Sequence, residues 1–221
     1  MRIGLFGGTF NPIHNGHLNC VRETAQAFQL DRIHLIPAAI PPHKNGGNIA
    51  AARHRLAMAR LAIKGLDNWL VTDLEVARSG PSYTVDTIRH YLDGADGPTE
   101  HYFIMGLDSL LEIQAWKSFR QIVGRIPIIV MFRPDTLEAG RAEPFAAMHR
   151  HIVTHIDSGY VRSSLEKAFH HPRLQPIYYL AVRPQALSAT AIRRRIRSGL
   201  PISGLVPDAV DDYIRTQGLY R

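Results

Sequence analysis

Two histidines three residues apart, His14 and His17, follow a glycine-rich turn in the stretch GLFGGTFNPIHNGHL at residues 4–18. Gly7 and Gly8 remove side chains at the end of an apolar run, so backbone amides there could approach a phosphate closely. Asn11-Pro12 is a turn signal, and a helix is expected to start near Asn15 or Gly16. That start puts His14 just before the helix and His17 in its first turn, at the positive end of the helix dipole, where an anion settles. Imidazole N–H groups are directional donors without the fixed charge of lysine. Two other readings stay open on this stretch alone: capping or surface histidines after a common Gly-Gly turn, and a His-x-x-His metal pair. No nearby carboxylate or cysteine pair completes a metal site at familiar spacing, so no metal-ligating residue is assigned. The pattern is neither the G-x-G-x-x-G fingerprint nor a G-x-x-x-x-G-K-[ST] loop.

Other residues of the same chemical kind lie far along the chain. In LSATAIRRR (187–195) Ser188 reads as a helix N-cap, Thr190 as a first-turn hydroxyl and Arg193 as the start of a basic side, which together suit a phosphate. A capping serine with a solvated arginine stripe is the plainer alternative. His43 and Lys44 sit in a proline-rich loop, PPHK, where an ordinary surface lysine is the competing account. Gly106 and Asp108 follow an apolar run; Asp108 either accepts ribose hydroxyls or caps a helix beginning at Ser109.

These residues must be carried by elements that bring them together. RIGLF (2–6), RIHLIP (32–37), WLVTDL (69–74), HYFIM (101–105), IPIIVMF (126–132) and IYYLAV (177–182) read as strands, several being continuous apolar runs of the kind buried on both faces. Helices are expected at about 16–28, 51–64, 83–93, 117–124, 189–197 and 207–216. Strand–helix alternation predicts an α/β fold with a Rossmann-like, doubly wound, mainly parallel sheet flanked by helices and a small helical C-terminal part at about 187–221. In such sheets ligands bind beyond the carboxyl ends of the strands, and each chemistry-bearing segment follows a strand. Residues 134–176 lack clean periodicity; a short helix or two and a strand near 151–155 are expected there, and the segment is free for a homo-oligomer contact. With no repeat or low-complexity linker, residues 1–221 are read as one domain.

Composition narrows the partners. Twenty-six Lys and Arg against 19 Asp and Glu give a net charge of +7, with 12 histidines besides, so polyanions are attracted. The basic run IRRRIR (192–197) has no interleaved aromatics, which argues against a nucleic-acid-binding module. A single cysteine, Cys20, excludes an internal disulfide and suits a reducing compartment. No signal peptide and no run of eighteen apolar residues is seen, so a cytoplasmic protein without membrane partners is expected.

The motifs together resemble the bacterial nicotinate-nucleotide adenylyltransferases of the His-x-Gly-His nucleotidyltransferase superfamily, the motif being His14-Asn15-Gly16-His17 here. GGTFNPIHNGHL, PPHK (41–44), PSYTVDTI (81–88), MGLDSLLEIQAW (105–116), LSATAIRRRI (187–196) and VPDAVDDYI (206–214) occur in the family's order from end to end of the chain. The resemblance implies adenylyl transfer from ATP, accompanied by Mg²⁺, to nicotinate mononucleotide, giving nicotinate adenine dinucleotide and pyrophosphate in NAD biosynthesis. It assigns His14 and His17 as catalytic and as contacts of the ATP phosphates, and adds Gly7, Gly8, Thr9, Phe10, Gly106, Asp108, Ser188, Thr190 and Arg193 to the ATP site. His43 and Lys44 are placed near phosphates. Backbone amides at Tyr83 and Thr84 receive the ring carboxylate, and Trp116 stacks on the pyridine ring, unless it is an ordinary core aromatic. Asn11 stands where family members often have Asp, and Ala189 where some have Ser. The nearest rivals are adenylyltransferases preferring nicotinamide mononucleotide or phosphopantetheine.

Overall fold

The computed structural model describes residues 1–41, 49–94, 97–132, 144–163, 165–183 and 187–221. The chain runs β1 (Arg2–Gly8), α1 (Asn15–Ala27), β2 (Arg32–Pro37), α2 (Ala52–Ala62), β3 (Trp69–Val71), α3 (Thr84–Asp93), β4 (Glu100–Gly106) and α4 (Leu107–Leu111). A 3₁₀ turn at Ile113–Ala115 leads to α5 (Phe119–Arg125) and β5 (Ile128–Phe132). Then come α6 (Pro144–His151), a π-helical turn at Ile152–Ile156, β6 (Val161–Arg162), β7 (Ala168–His170), β8 (Ile177–Ala181), α7 (Ala189–Arg197) and α8 (Asp208–Thr216).

All eight strands join one sheet in the order β3-β2-β1-β4-β5-β8-β7-β6. The first six are parallel to their neighbours, while β7 and β6 add an antiparallel edge. From β1 the chain winds outward through β2 and β3, then returns to lay β4, β5 and β8 on the other side. The winding therefore reverses between β1 and β4, and a crevice must open at their carboxyl ends.

Alternation along each central strand feeds two apolar layers. Ile3, Leu5, Phe103, Met105, Ile128 and Val130 face one side, where Val85 and Ile88 of α3, Ile122 of α5 and Met148 of α6 cover them. Phe6, Ile104, Ile129 and Met131 face the other, under Val21 of α1, Ala59 of α2, Ile192 of α7 and Ile214 of α8. Burial on both faces is why these strands are apolar without a polar alternate position.

The structure corrects the sequence reading in four places. The strand expected near 151–155 is π-helical: Ile152 and Ile156 are buried four residues apart, as on a helix face, although Val153 and Thr154 favour strands. The third strand ends at Val71, because the Thr72 hydroxyl accepts the Leu74 N–H and turns the chain away. Helix α5 begins at Phe119 because Ser118 is left-handed (φ 52°). The helix expected to begin at Ser109 begins at Leu107, with Gly106 as its N-cap, so Asp108 lies in the first turn and is no cap.

Candidate active site

The head of α1 is built by the two histidines. His14 is the N-cap: its Nδ1 accepts the His17 N–H at 3.3 Å, while His17 Nδ1 accepts the His14 N–H at 3.3 Å. This is a capping box with imidazoles in place of the usual hydroxyl and carboxamide. The rings stack with centroids 3.6 Å apart. Since each Nδ1 is an acceptor, the ring proton of each neutral histidine belongs on Nε2. Gly16 makes room for this: a Cβ there would lie 3.0 Å from His14 Nδ1 and 3.3 Å from Leu187 Cβ.

The turn before α1 is held by arginines from two distant helices. Phe10 is buried and left-handed (φ 46°), a costly backbone state for a bulky residue that persists only where its surroundings over-determine it. On its N-terminal side the Thr9 carbonyl accepts from Arg55 Nη1 at 2.8 Å; on its C-terminal side the Asn11 carbonyl accepts from Arg193 Nη1 at 2.7 Å. Its ring meets that of His17 edge-on at 5.4 Å. The Asn11 side-chain oxygen accepts the Ala50 N–H at 3.0 Å, a bond to which an aspartate would be equally suited.

At the β1/β4 reversal lies a cleft of about 990 Å³. It is lined by Gly7, Gly8, Thr9, Phe10, His17, Thr190 and Arg193, from β1, α1, α7 and the turn between β1 and α1, and by Gly106, Asp108 and Trp116, at and after the end of β4. Ten of the residues proposed from sequence thus meet around one space, at the upper end of ordinary ligand-pocket size. Cys20, one turn beyond His17, is buried and also contributes to the wall. Ala189 lines the cleft as well, so the serine position of some family members faces this space.

Some expected residues stand back from the cleft. His14 is buried behind His17 and does not line it. Ser188 is the N-cap of α7, its hydroxyl accepting the Ala191 N–H at 3.1 Å. Tyr83 precedes α3 and Thr84 opens it, and no side chain caps this helix. Lys117, adjoining Trp116, holds its ammonium 4.3 Å from the Tyr83 ring centroid, which links the head of α3 to the Trp116 side. Trp116 is half-buried, edge-on to Phe103 at 6.3 Å, and so is not an enclosed core aromatic. His43 and Lys44 lie outside the described residues.

Three contributors escape a reading of the sequence. Arg55, 1% exposed, binds four backbone carbonyls. Ser82 accepts the Ala39 N–H on its hydroxyl at 2.8 Å, bracing the PSYT segment against the exit of β2. Glu75 is buried and accepts the Thr87 hydroxyl at 2.6 Å; burial raises its pKa, against hydrogen bonds from Thr87 and Ser82 that lower it. Among the described residues no cluster of three or more His, Cys, Asp or Glu side chains is disposed to hold a metal ion, and no helix is long and apolar enough to cross a membrane.

Comparison with known proteins gives a consistent result. The cytidylyltransferase-like family profile matches residues 5–195. A probable nicotinate-nucleotide adenylyltransferase of Desulfatibacillum aliphaticivorans is 39% identical over the whole of both chains. One from Pseudomonas fluorescens is 35% identical, covering 100% of this chain and 97% of the relative. In overall fold the chain is similar to Plasmodium falciparum nicotinic acid mononucleotide adenylyltransferase complexed with NaAD, with a TM-score of 0.69 at 17% identity over 99% of this chain and 97% of that one. The chain belongs to the nicotinate-nucleotide adenylyltransferase family, within the cytidylyltransferase-like nucleotidyltransferases.

Proposed function

We propose that the cleft binds Mg²⁺-ATP beside nicotinate mononucleotide and transfers the adenylyl group between them, a step of NAD biosynthesis. The observation that carries this reading is the meeting of two sets of groups in one space: His17, Thr190 and Arg193 supply donors and a cation, while Asp108 and Trp116 supply a carboxylate and an open aromatic face. A phosphate oxygen of the mononucleotide attacks the α-phosphorus of ATP. A new P–O–P bond forms, the bond from Pα to the β-bridging oxygen breaks, and pyrophosphate leaves with the electron pair. The attacking phosphate is already ionised at neutral pH, so no general base is required. What the chain must supply is in-line placement and donors for the charge on the transferred and leaving groups.

In this reading His17 Nε2–H donates to the ATP phosphates, with His14 stacked behind it in the same pair. Thr190 and Arg193 take the outer phosphates with Ser188 at the head of α7, and Gly7 to Phe10 offer the backbone approach. Gly106 and Asp108 hold the nucleoside, and His43 and Lys44, which precede α2 in the sequence, are assigned to the phosphates. The uncapped amides at Tyr83 and Thr84 receive the ring carboxylate, and Trp116 stacks on the ring. A site offering only N–H donors there favours nicotinate over nicotinamide, whose NH₂ would face donors. Magnesium is part of the substrate, carried in on ATP and largely water-bound.

We take residues 1–221 as one catalytic unit, because α7 and α8 pack on the same apolar layer as α1 and α2. Nucleic acid is not assigned to the arginine run: Arg193 turns into the cleft, and Arg195 Nε bonds the Pro201 carbonyl at 2.9 Å. We place the reaction in the cytoplasm, in keeping with a chain that carries a single cysteine. The test is to incubate the protein with Mg²⁺-ATP and, separately, nicotinate mononucleotide, nicotinamide mononucleotide and phosphopantetheine, following pyrophosphate release. Release fastest with nicotinate mononucleotide is the expected result; silence with all three defeats the reading.

A further inference from the structure

Arg55 sits in the first turn of α2, 1% exposed. A cation at a helix N-terminus opposes the macrodipole, and a buried cation is costly unless paired. Among the described residues its hydrogen-bond acceptors are carbonyls: Nε donates to Ala50 at 2.8 Å, Nη1 to Thr9 at 2.8 Å and Ala38 at 2.5 Å, and Nη2 to Ala39 at 2.8 Å. Two costs are thus accepted for one geometric result. Three stretches that are remote in sequence are fastened to a single rigid fork.

Those stretches are particular. Thr9 belongs to the turn that precedes the two histidines, while Ala38–Ala39 and Ala50, which flank His43 and Lys44 in the sequence, are the stems leading out of β2 and into α2. The same stems are tied from their amide side as well: Ala38 N–H donates to the Gly8 carbonyl at 2.9 Å, Ala39 N–H to Ser82 and Ala50 N–H to Asn11. Fixing the Thr9 carbonyl also fixes the entry to Phe10, whose left-handed backbone brings its ring edge-on to His17. A continuous path therefore runs from the guanidinium through Thr9 and Phe10 to the imidazole on the cleft wall.

We infer that Arg55 is a positioning residue for adenylyl transfer, setting the orientation of His17 through Thr9 and Phe10 and anchoring the chain at Ala38–Ala39 and at Ala50 to the nucleotide turn. The inference rests on the proposed reaction for its kinetic consequence, and on hydrogen bonds alone for its structural one. Lysine retains the charge but not the five-donor fork, so Arg55→Lys separates charge from geometry; Arg55→Ala leaves a space that a guanidinium ion fits.

The experiment compares wild type, Arg55→Lys and Arg55→Ala by thermal melting, by steady-state kinetics with both substrates varied, and by amide hydrogen exchange of peptides containing Ala38–Ala39 and Ala50. Arg55→Lys is expected to remain folded with kcat lowered by about 10²-fold, the scale of a small misplacement of a reacting group, and with KM for ATP changed far less. Exchange at Ala38, Ala39 and Ala50 should quicken in both variants, and millimolar guanidinium, but not methylammonium, should restore part of the kcat of Arg55→Ala. If Arg55→Ala does not fold, the lysine variant decides. Activity lost only in proportion to the unfolded fraction, or unchanged exchange at the three alanines in a folded variant, overturns the inference. A wild-type protein that releases no pyrophosphate refutes the proposed reaction instead, and the exchange measurement still judges the anchoring by Arg55.

Discussion

His14 and His17 cap the same helix with each other, each Nδ1 accepting the other's backbone N–H at 3.3 Å. The capping role of the pair is therefore compatible with the phosphate contact proposed for His17, the member that lines the cleft. Capping consumes Nδ1 and, by fixing the tautomer, leaves Nε2–H as the donor. This division makes the two roles separable by mutation.

Asparagine places a side-chain oxygen close to where Nδ1 stood but has nothing at the Nε2 position. His17→Asn should therefore keep the cap and melt near the wild-type temperature, yet lose about 10²–10³ in kcat, the usual consequence of removing one well-placed donor to a developing charge. His17→Ala should lose the same activity and also about 1 kcal/mol of stability, with the bond that its ring accepts from the His14 N–H. Near-normal turnover in both variants would falsify the assignment of His17. A melt for His17→Asn as low as that of His17→Ala would show that the cap was not conserved.

Gly16 offers a subtler probe of the same pair. Alanine is ordinarily the better helix residue, by up to about 1 kcal/mol over glycine. Here its Cβ would fall 3.0 Å from His14 Nδ1 and 3.1 Å from its Cε1, tighter than normal contact, so the ring must shift. Because His14 is stacked on His17 at 3.6 Å, the shift is passed on. Gly16→Ala should reduce kcat by about tenfold or more through this misplacement, out of proportion to any change in melting temperature. Full activity with an unaltered melt would show that the stack yields without consequence.

Much of this site could be read from residue types alone. Gly-Gly, Asn-Pro and the histidine spacing located the turn and the helix start to within a residue, because each acts through local backbone preferences. Arg55 was missed because Arg53, Arg55 and Arg60 look alike in ARHRLAMARLA, and single arginines on a helix are usually solvated. A signal was nevertheless present: Arg55 shares the stripe of Met58, Ala59 and Ala62, the i, i+3, i+4, i+7 face that the structure buries. An arginine on an apolar stripe poses the question of what it binds, but its four carbonyl partners come from tertiary structure. The π-helical turn at 152–156 was misread for the opposite reason, since strand-forming Val153 and Thr154 were outweighed by burial of Ile152 and Ile156.

Two histidines away from the cleft, His34 half-buried and His101 buried, predict how stability responds to pH. His34, on β2, is pulled down to about 4, mainly by burial and then by the proximity of His101 and Arg32; burial lowers His101 also. Burial pushes the Tyr91 phenol up to about 12, and its hydroxyl pairs with His34 Nδ1 at 3.0 Å. Both histidines are neutral in the fold but titrate near 6.5 when unfolded. Between about 6.5 and 4 the unfolded chain binds more protons than the folded one, so stability falls as pH drops through that window and is fully present above it. Urea midpoints at pH 7.5, 6 and 5 should decline in that order. His34→Gln, which has no proton to gain, should flatten the decline, and an equally steep decline would remove His34 as its cause.

Trp116 tests which substrate lies where in the cleft. The indole is half-buried and lines the cleft together with Asp108 and His17, and its ring meets that of Phe103 edge-on at 6.3 Å. A ring stacked on the exposed face gains roughly 1–3 kcal/mol by comparison with other base–aromatic stacks. Trp116→Ala should therefore raise KM for nicotinate mononucleotide by about tenfold to a hundredfold, with KM for ATP much less affected. Trp116→Phe should recover most of the loss, since a smaller ring still stacks. The comparison with nicotinamide mononucleotide adds a control: stacking is blind to carboxylate against amide, so Trp116→Ala should weaken both mononucleotides equally and leave their ratio unchanged. A variant that loses ATP affinity in preference would put the adenine, not the pyridine, against the indole. A change in the nicotinate-to-nicotinamide ratio would mean that Trp116 also sets the position of the amides at the head of α3 proposed to receive the carboxylate, through the neighbouring Lys117 and its contact with Tyr83.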